Sequence, residues 1–326
     1  VTEEQASSAR SVLVTGAAGF IGSGLVAALA ERPGRLVRVI AMDVRAVPRA
    51  QRLTGVHHVE ADIREPALAK HIAEHAVDTV VHLAAMVTPG KGDTRELEYS
   101  VDVLGTRNVI DACLAHGVRK LIVTSSGAAY GYHADNPEWI SETDALRGNA
   151  TFAYSDHKRQ VEEMLARCRT EHPELQQLIF RPGTILGARV ANQVTAIFER
   201  PVILGVAGSD TPFVFIWDED VVACLERGIH EDRSGIYNLA GDGVIKLREI
   251  AAYVEKPYLP LPAPLLQGAL AVLHPLGISP YGPEQVDFLR YRPVLSNARL
   301  KSEFGYAPRK TSREAFEAYW RSRPDA

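Results

Sequence analysis

The chain has 326 residues, 46% of them hydrophobic and 23% charged, with a net charge of −4 at neutral pH. That is the composition of a globular chain long enough for one large α/β domain and a smaller one. It argues against a general nucleic-acid binder, because no basic run is interleaved with aromatics.

Cys113, Cys168 and Cys224 form no CxxC pair and are odd in number. A disulfide framework or cysteine zinc site is therefore disfavoured, and a reducing cytoplasm fits. Residues 1–10 are polar and acidic, which reads as a frayed tail rather than a signal peptide. No apolar run reaches the roughly 18 residues a membrane span needs. The expected partner is a small-molecule substrate, not a nucleic acid or a membrane.

The apolar run Ser11–Val14 reads as a strand, and TGAAGFIG from Thr15 to Gly22 follows it as a glycine turn opening a helix. Gly16, Gly19 and Gly22 stand three apart, so the turn can tighten, the backbone can approach a pyrophosphate and the helix can pack close. The phosphates would sit on the helix N-terminus. The next strand-like run, from Val37, ends in Asp43, 21 positions after Gly22. A carboxylate there binds adenosine ribose hydroxyls and repels a 2′-phosphate, favouring NAD over NADP. Arg45 would soften that preference.

Strand and helix patterns then alternate. Strands are expected near Val56–Asp62, Asp78–Ala85, Lys120–Ser126 and Leu175–Phe180, with long helical patterns over about 95–116 and 152–170. This rhythm predicts a Rossmann-type, doubly wound parallel sheet with ligands at the carboxyl ends of its strands. The boundaries read as an NAD-binding domain over 11–186 and a smaller, mainly substrate-binding part over 187–326. Segments around 212–240 return to the first domain. The apolar stretch Leu265–Leu276 reads as a helix buried in the substrate part or at an interface. His71-Ile-Ala-Glu-His75 matches an HxxEH zinc pattern. With no third ligand apparent it reads as an exposed helix face, and no metal is expected.

Tyr154 and Lys158 lie four apart, on one face of a helix. A nearby ammonium favours the phenolate and lowers the phenol's pKa. Ser126, at a strand end, is placed to hydrogen-bond a substrate oxygen against that phenol. A hydride could then pass between substrate carbon and nicotinamide.

In this order of motifs the sequence resembles the extended short-chain dehydrogenase/reductases, the NAD-dependent epimerase/dehydratase family. The resemblance runs through TGAAGFIG, Asp43, Asp62-Ile63, His82-Leu-Ala-Ala85, Thr124-Ser-Ser126 with Tyr130-Gly131, and Tyr154 to Lys158. It continues in Arg181-Pro-Gly-Thr-Ile-Leu-Gly187, Phe215 to Asp220, Tyr237 to Gly241 and Phe304 to Pro308. It implies that Phe20 and Ile21 face the pyrophosphate, that Asp62 and Ile63 lie along the adenine, and that Leu83, Ala84 and Ala85 line the cofactor. Ser126, Tyr154 and Lys158 would be catalytic, with Lys158 also on the nicotinamide ribose. A homodimer built from the two long helices is implied as well.

Two departures stand out. Thr184 replaces an asparagine that contacts the sugar nucleotide in nucleotide-sugar members, and Asp102 replaces a common asparagine. Gly127 and Ala128 follow Ser126 where 4,6-dehydratases carry an Asp-Glu pair, which disfavours dehydration. Two readings remain. The first is a nucleotide-sugar epimerase, with Ser126, Thr184, Arg290 and Arg292 toward the substrate. The second is a dehydrogenase or ketoreductase of a hydrophobic molecule, similar to the hydroxysteroid and dihydroflavonol reductase branches. A protein that keeps the fold without turnover is disfavoured by the intact Ser126, Tyr154 and Lys158.

Overall fold

The computed structural model describes residues 11–87, 90, 92, 94–277, 279 and 282–323, so the N-terminal tail expected over 1–10 lies outside the described residues. The apolar runs of the first half form β1 (Ser11–Thr15), β2 (Arg38–Asp43), β3 (Val56–Glu60), β4 (Thr79–His82), β5 (Lys120–Thr124) and β6 (Gln176–Pro182). Short strands follow: β7 (Thr184–Leu186), β8 (Ile203–Val206), β9 (Pro212–Phe213), β10 (Phe215–Trp217), β11 (Gly235–Leu239), β12 (Ile245–Lys246) and β13 (Tyr258–Leu261).

Seven strands make one parallel sheet in the order β11-β6-β5-β4-β1-β2-β3. Their side chains alternate between two apolar layers. Val12, Val14, Val39, Ala41, Ile122 and Phe180 pack under the Phe20–Glu31 and Asp218–His230 helices on one face. Leu13, Ile40, Met42, Leu121, Val123 and Ile179 pack under the Thr106–Ala115 and Ala153–Glu171 helices on the other. The period-2 pattern explains why these strands read as continuous apolar runs: both faces are covered. Chain order reverses between β1 and β4, which opens a crevice at their carboxyl ends.

β7 pairs β10, β9 pairs β12 and β8 pairs β13. Around them Phe198, Phe213, Phe215 and Phe316 pack as a second core with ring centroids 5.2–6.2 Å apart. The apolar helix Ala263–Leu273 belongs to neither core. It contains no buried residue, and Leu265, Val272 and Leu276 are 58%, 60% and 65% exposed. Burial within the chain, one of the two placements its sequence suggests, is thus not what the structure has. No helix of the described residues is long and apolar enough to cross a membrane.

One buried charge braces the sheet against a helix. Lys120, fully buried on β5, donates from Nζ to the carbonyls of Gly228 and Glu231 at 2.6 and 2.8 Å, capping the end of the Asp218–His230 helix. Burial lowers its pKa to about 8 from an ordinary 10.5. A lysine whose folded value lies below its unfolded value leaves the unfolded chain holding more protons between the two. Stability from this group therefore rises with pH across that window and is at its lowest below about pH 8. We expect the unfolding midpoint in urea, measured between about pH 8 and 10, to lose this upward component in Lys120→Met. An unchanged slope would contradict the assignment.

Candidate functional site

The glycine turn is tight because three glycines let it be. Gly16 has φ +68°, and a Cβ there would lie 2.7 Å from the Ala84 amide nitrogen. At Gly22 a Cβ would sit 2.1 Å from the Gly16 carbonyl oxygen, so the Phe20–Glu31 helix packs on the turn as only glycine allows. The backbone is left bare at the mouth of the crevice, the cradle a pyrophosphate requires. Gly16, Gly19, Phe20, Ile21 and Gly22 line one end of a cavity of about 380 Å³, with Leu83 and Ala85 across from them. Ala84 lies behind, its N–H turned to Thr15 Oγ1 at 3.4 Å.

Asp43, buried at the end of β2, accepts the Ala18 N–H on one oxygen and the Arg45 backbone and Nε on the other, at 2.9–3.2 Å. It lines a second cavity of about 230 Å³ with Ala17, Ala18 and Arg45. Asp62 is held by the Arg64 guanidinium, which keeps its carboxyl below the usual range. Ile63 is buried against Gly105, where a Cβ would lie 2.6 Å from its Cδ1.

The other end of the large cavity is built from β5, the Ala153–Glu171 helix and the C-terminal part. Thr124, Ser125 and Ser126 line it at the end of β5, with Tyr154 and Lys158 from the helix. Ser126 has an extended backbone, and its Oγ accepts the Ala128 N–H at 3.1 Å. Among the described residues the buried hydroxyls of Thr124 and Ser125 have no partner, which leaves polar atoms to meet a ligand.

Burial pushes the Tyr154 phenol up to about 12, against a hydrogen bond with Ser126 that lowers it. The expectation that Lys158 lowers this value is not what dominates here. Lys158 Nζ lies over the Tyr154 ring, 5.6 Å from its centroid. Lys158 is itself buried, which lowers its pKa, while Asp102 and Glu162 favour its charge. Behind them His82 is wedged between Thr15 Oγ1 and Thr106 Oγ1 at 2.8 and 3.0 Å, and burial lowers its pKa to about 3. It is neutral at any physiological pH.

On the substrate side Arg292 is the one sequence-selected arginine that reaches the cavity. Its Nη2 donates to Thr184 Oγ1 at 3.2 Å, and its guanidinium lies between the rings of Phe213 and Phe288, 4.2 and 4.9 Å from their centroids. Nη1 is buried without a partner among the described residues. Arg290 turns away, over the Tyr291 ring and 3.7 Å from Asp287, so it does not share the lining with Arg292. Tyr132, Phe152 and Phe288 complete the wall. These aromatics went unnoticed in the sequence because they come from three distant segments; only Phe152, two residues before Tyr154, carried a local hint.

His71 and His75 share a helix face with rings 6.3 Å apart, and His57 of β3 meets His75 at 4.5 Å. Among the described residues no group of three or more His, Cys, Asp or Glu is placed to hold a metal. The cluster lies on the β3 side of the sheet, outside the cavity lining.

Residues 12–239 match the NAD dependent epimerase/dehydratase family, a span that includes the glycine turn, Ser126, Tyr154 and Lys158. The chain belongs to that family. This epimerase/dehydratase family member is 30% identical over 230 residues to a UDP-glucose 4-epimerase of Halalkalibacterium halodurans, covering 67% of this chain and 66% of the relative. It is 28% identical over 316 residues to an uncharacterized protein of Mycobacterium tuberculosis, covering 96% of this chain and 84% of the relative. Its fold resembles UDP-glucose 4-epimerase of Thermus thermophilus in complex with NAD, with a TM-score of 0.72, 24% identity and coverage of 95% and 99% of the two chains. It resembles dTDP-glucose 4,6-dehydratase of Bacillus anthracis in complex with NAD, with a TM-score of 0.73, 17% identity and 96% of each chain covered. At these identities the likeness to the solved structures speaks for the fold, and the family of this epimerase/dehydratase chain rests on the sequence match.

Proposed function

We propose that this protein is an NAD-dependent nucleotide-sugar epimerase, and the observation that carries the reading is Arg292. Among the described residues, a guanidinium walled by two aromatic rings, with one nitrogen on Thr184 and another unpartnered, has no carboxylate to balance it. Burial already works against its charge. An uncompensated buried cation is costly until an anion arrives, and a fork of N–H donors suits a diphosphate. Arg292 lines the same cavity as Ser126 and Tyr154, so an anion held there would place the attached sugar against the phenol.

When bound, NAD supplies the hydride acceptor and donor. The chain's own residues do the rest. Tyr154 takes the proton of a sugar hydroxyl and gives it back, Ser126 holds the substrate oxygen in line with the phenol, and the Lys158 ammonium favours the phenolate. Gly127 and Ala128, directly after Ser126, offer no acid or base for eliminating water. The apolar wall of Val190, Val194, Val214 and Leu295 favours the second reading, a reductase of a hydrophobic ketone. Such a ketone would leave Arg292 unpaired, and the Leu265–Leu276 stretch is absent from the lining.

We expect Arg292→Met to weaken UDP-sugar binding by about 10–100-fold, the worth of one or two hydrogen bonds to a charged group. Its stability to urea should stay level or rise, because the side chain removed is an unpaired buried cation. UDP binding measured calorimetrically checks this. Equal affinity in the variant would sink the epimerase reading.

A further inference from the structure

Behind the Tyr154–Lys158 site lies a pair of buried ionisable side chains with unmatched polar atoms. The helical stretch 95–115 is not uniform: α-helix over Arg95–Tyr99 gives way to a π-helical turn, Ser100–Gly105, before α-helix resumes at Thr106. Such turns widen a helix by one residue and re-aim a side chain. Here the side chain is Asp102. One of its oxygens accepts the Met86 N–H at 2.8 Å, fixing the segment that follows Leu83–Ala85. The other has no hydrogen-bond partner among the described residues and lies 3.8 Å from His157 Nδ1, which has none among them either. Both side chains are 1% exposed.

A carboxylate oxygen this deep without a donor is expensive, and an asparagine, common at this position in the family the sequence resembles, would carry no charge to compensate. The groups around the pair are few. His82 faces it from β4 and is held neutral between two threonines. Glu98 and Tyr99 stand on Asp102's own helix, the Tyr99 ring meeting His157 edge-on at 5.6 Å. From the Ala153–Glu171 helix come Tyr154, Lys158 and Glu162, the last already bound by Arg181. Asp102 favours the charged form of Lys158 and opposes ionisation of Tyr154.

We propose that Asp102 and His157 are positioning residues, a buried pair in which Asp102 fixes the Met86 backbone beside the Tyr154–Lys158 site and Nδ1 of His157, facing the other carboxylate oxygen, offsets the charge of Asp102. The inference rests on Tyr154 and Lys158 being the catalytic pair. It makes the phenol's ionisation depend on a group that touches neither substrate nor cofactor. Asp102→Asn keeps the shape and the acceptor for Met86 while removing the charge, so Tyr154 ionises at lower pH. His157→Gln leaves Asp102 unbalanced and does the reverse. Because His157 acts through Asp102, the double variant behaves as Asp102→Asn alone.

The test is the phenolate absorbance of the NAD-loaded protein over about pH 7–12, each protein read against its own Tyr154→Phe counterpart so that the remaining tyrosines cancel. The expected result is a shift of about one pH unit to lower pH in Asp102→Asn, a shift of opposite sign in His157→Gln, and a double variant that tracks the former. Profiles of both single variants that coincide with the parent overturn the pair. His157→Gln leaves the Met86 contact intact and decides alone if Asp102→Asn does not fold. Failure of the underlying reading shows separately, as unchanged turnover in Tyr154→Phe.

Discussion

Replacing Tyr154 by Phe is expected to lower kcat by a factor of about 10²–10⁴, the usual worth of a positioned acid–base group. The change deletes one oxygen from a partly buried ring and leaves the Lys158 ammonium over the ring face, so folding and nucleotide binding should persist. The free protein keeps this phenol protonated, pushed up to about 12 by burial. Its work as a base therefore requires the ligands that enter the cavity to bring positive charge or a matching donor. Turnover in the parent should accordingly rise with pH on its acid side as the phenol ionises, a limb that Tyr154→Phe lacks. Steady-state rates of sugar isomerisation measured across pH on both proteins check this. A variant within a factor of about two of the parent would remove Tyr154 from the chemistry.

The largest expected loss of stability lies one layer deeper. Arg181 of β6 binds Glu162 through two parallel contacts of 2.7 and 2.9 Å, and donates to Tyr130 Oη and the Glu142 carbonyl at 2.8 and 3.1 Å. Tyr130 passes the chain on to Asn238 Oδ1 at 2.8 Å, and the Asn238 N–H donates to Glu142 Oε1 at 2.7 Å. The network ties β6, β11, the Ala153–Glu171 helix and the segment after Ser126 around the site. Arg181→Met leaves Glu162 buried and unpaired, and removing one partner of such a pair costs about 3–5 kcal/mol. Removing both is far milder. Urea unfolding of Arg181→Met, Glu162→Met and the double variant should show each single change strongly destabilising and the double change recovering much of the loss. Additive losses would mean the pair is not the unit of stability. Glu162 also favours the charge on Lys158, so the same network steadies the ammonium beside the phenol.

Much of the sheet was legible because its central strands, such as β1 and β4, are covered on both faces and read as apolar runs, and because the glycine turn has a spacing that backbone contacts enforce. Ser126, Tyr154 and Lys158 were legible for a related reason: two lie on one helix face and the third closes a strand, so local periodicity brings them to one end of the sheet. The substrate wall was not. Thr184 and Arg292 meet across a sequence separation of 108, and no local pattern distinguishes Arg292, which lines the cavity, from Arg290, which pairs with Asp287. The π-helical turn at Ser100–Gly105 was also hidden, because an extra residue per turn leaves the apolar pattern of a helix nearly unchanged. The exposed Ala263–Leu273 helix shows the limit of composition: it is apolar apart from Gln267, yet none of its residues is buried.

The most direct measurement is to denature the purified protein, identify any nucleotide released, and incubate the native protein with a panel of UDP- and dTDP-sugars and, in parallel, with NADH and apolar ketones. The expected result is NAD in near-stoichiometric amount, isomerisation of at least one nucleotide sugar and no net consumption of NADH. Protein that releases no nucleotide, ignores every sugar nucleotide and consumes NADH with apolar ketones would contradict the account and make the reductase reading the correct one.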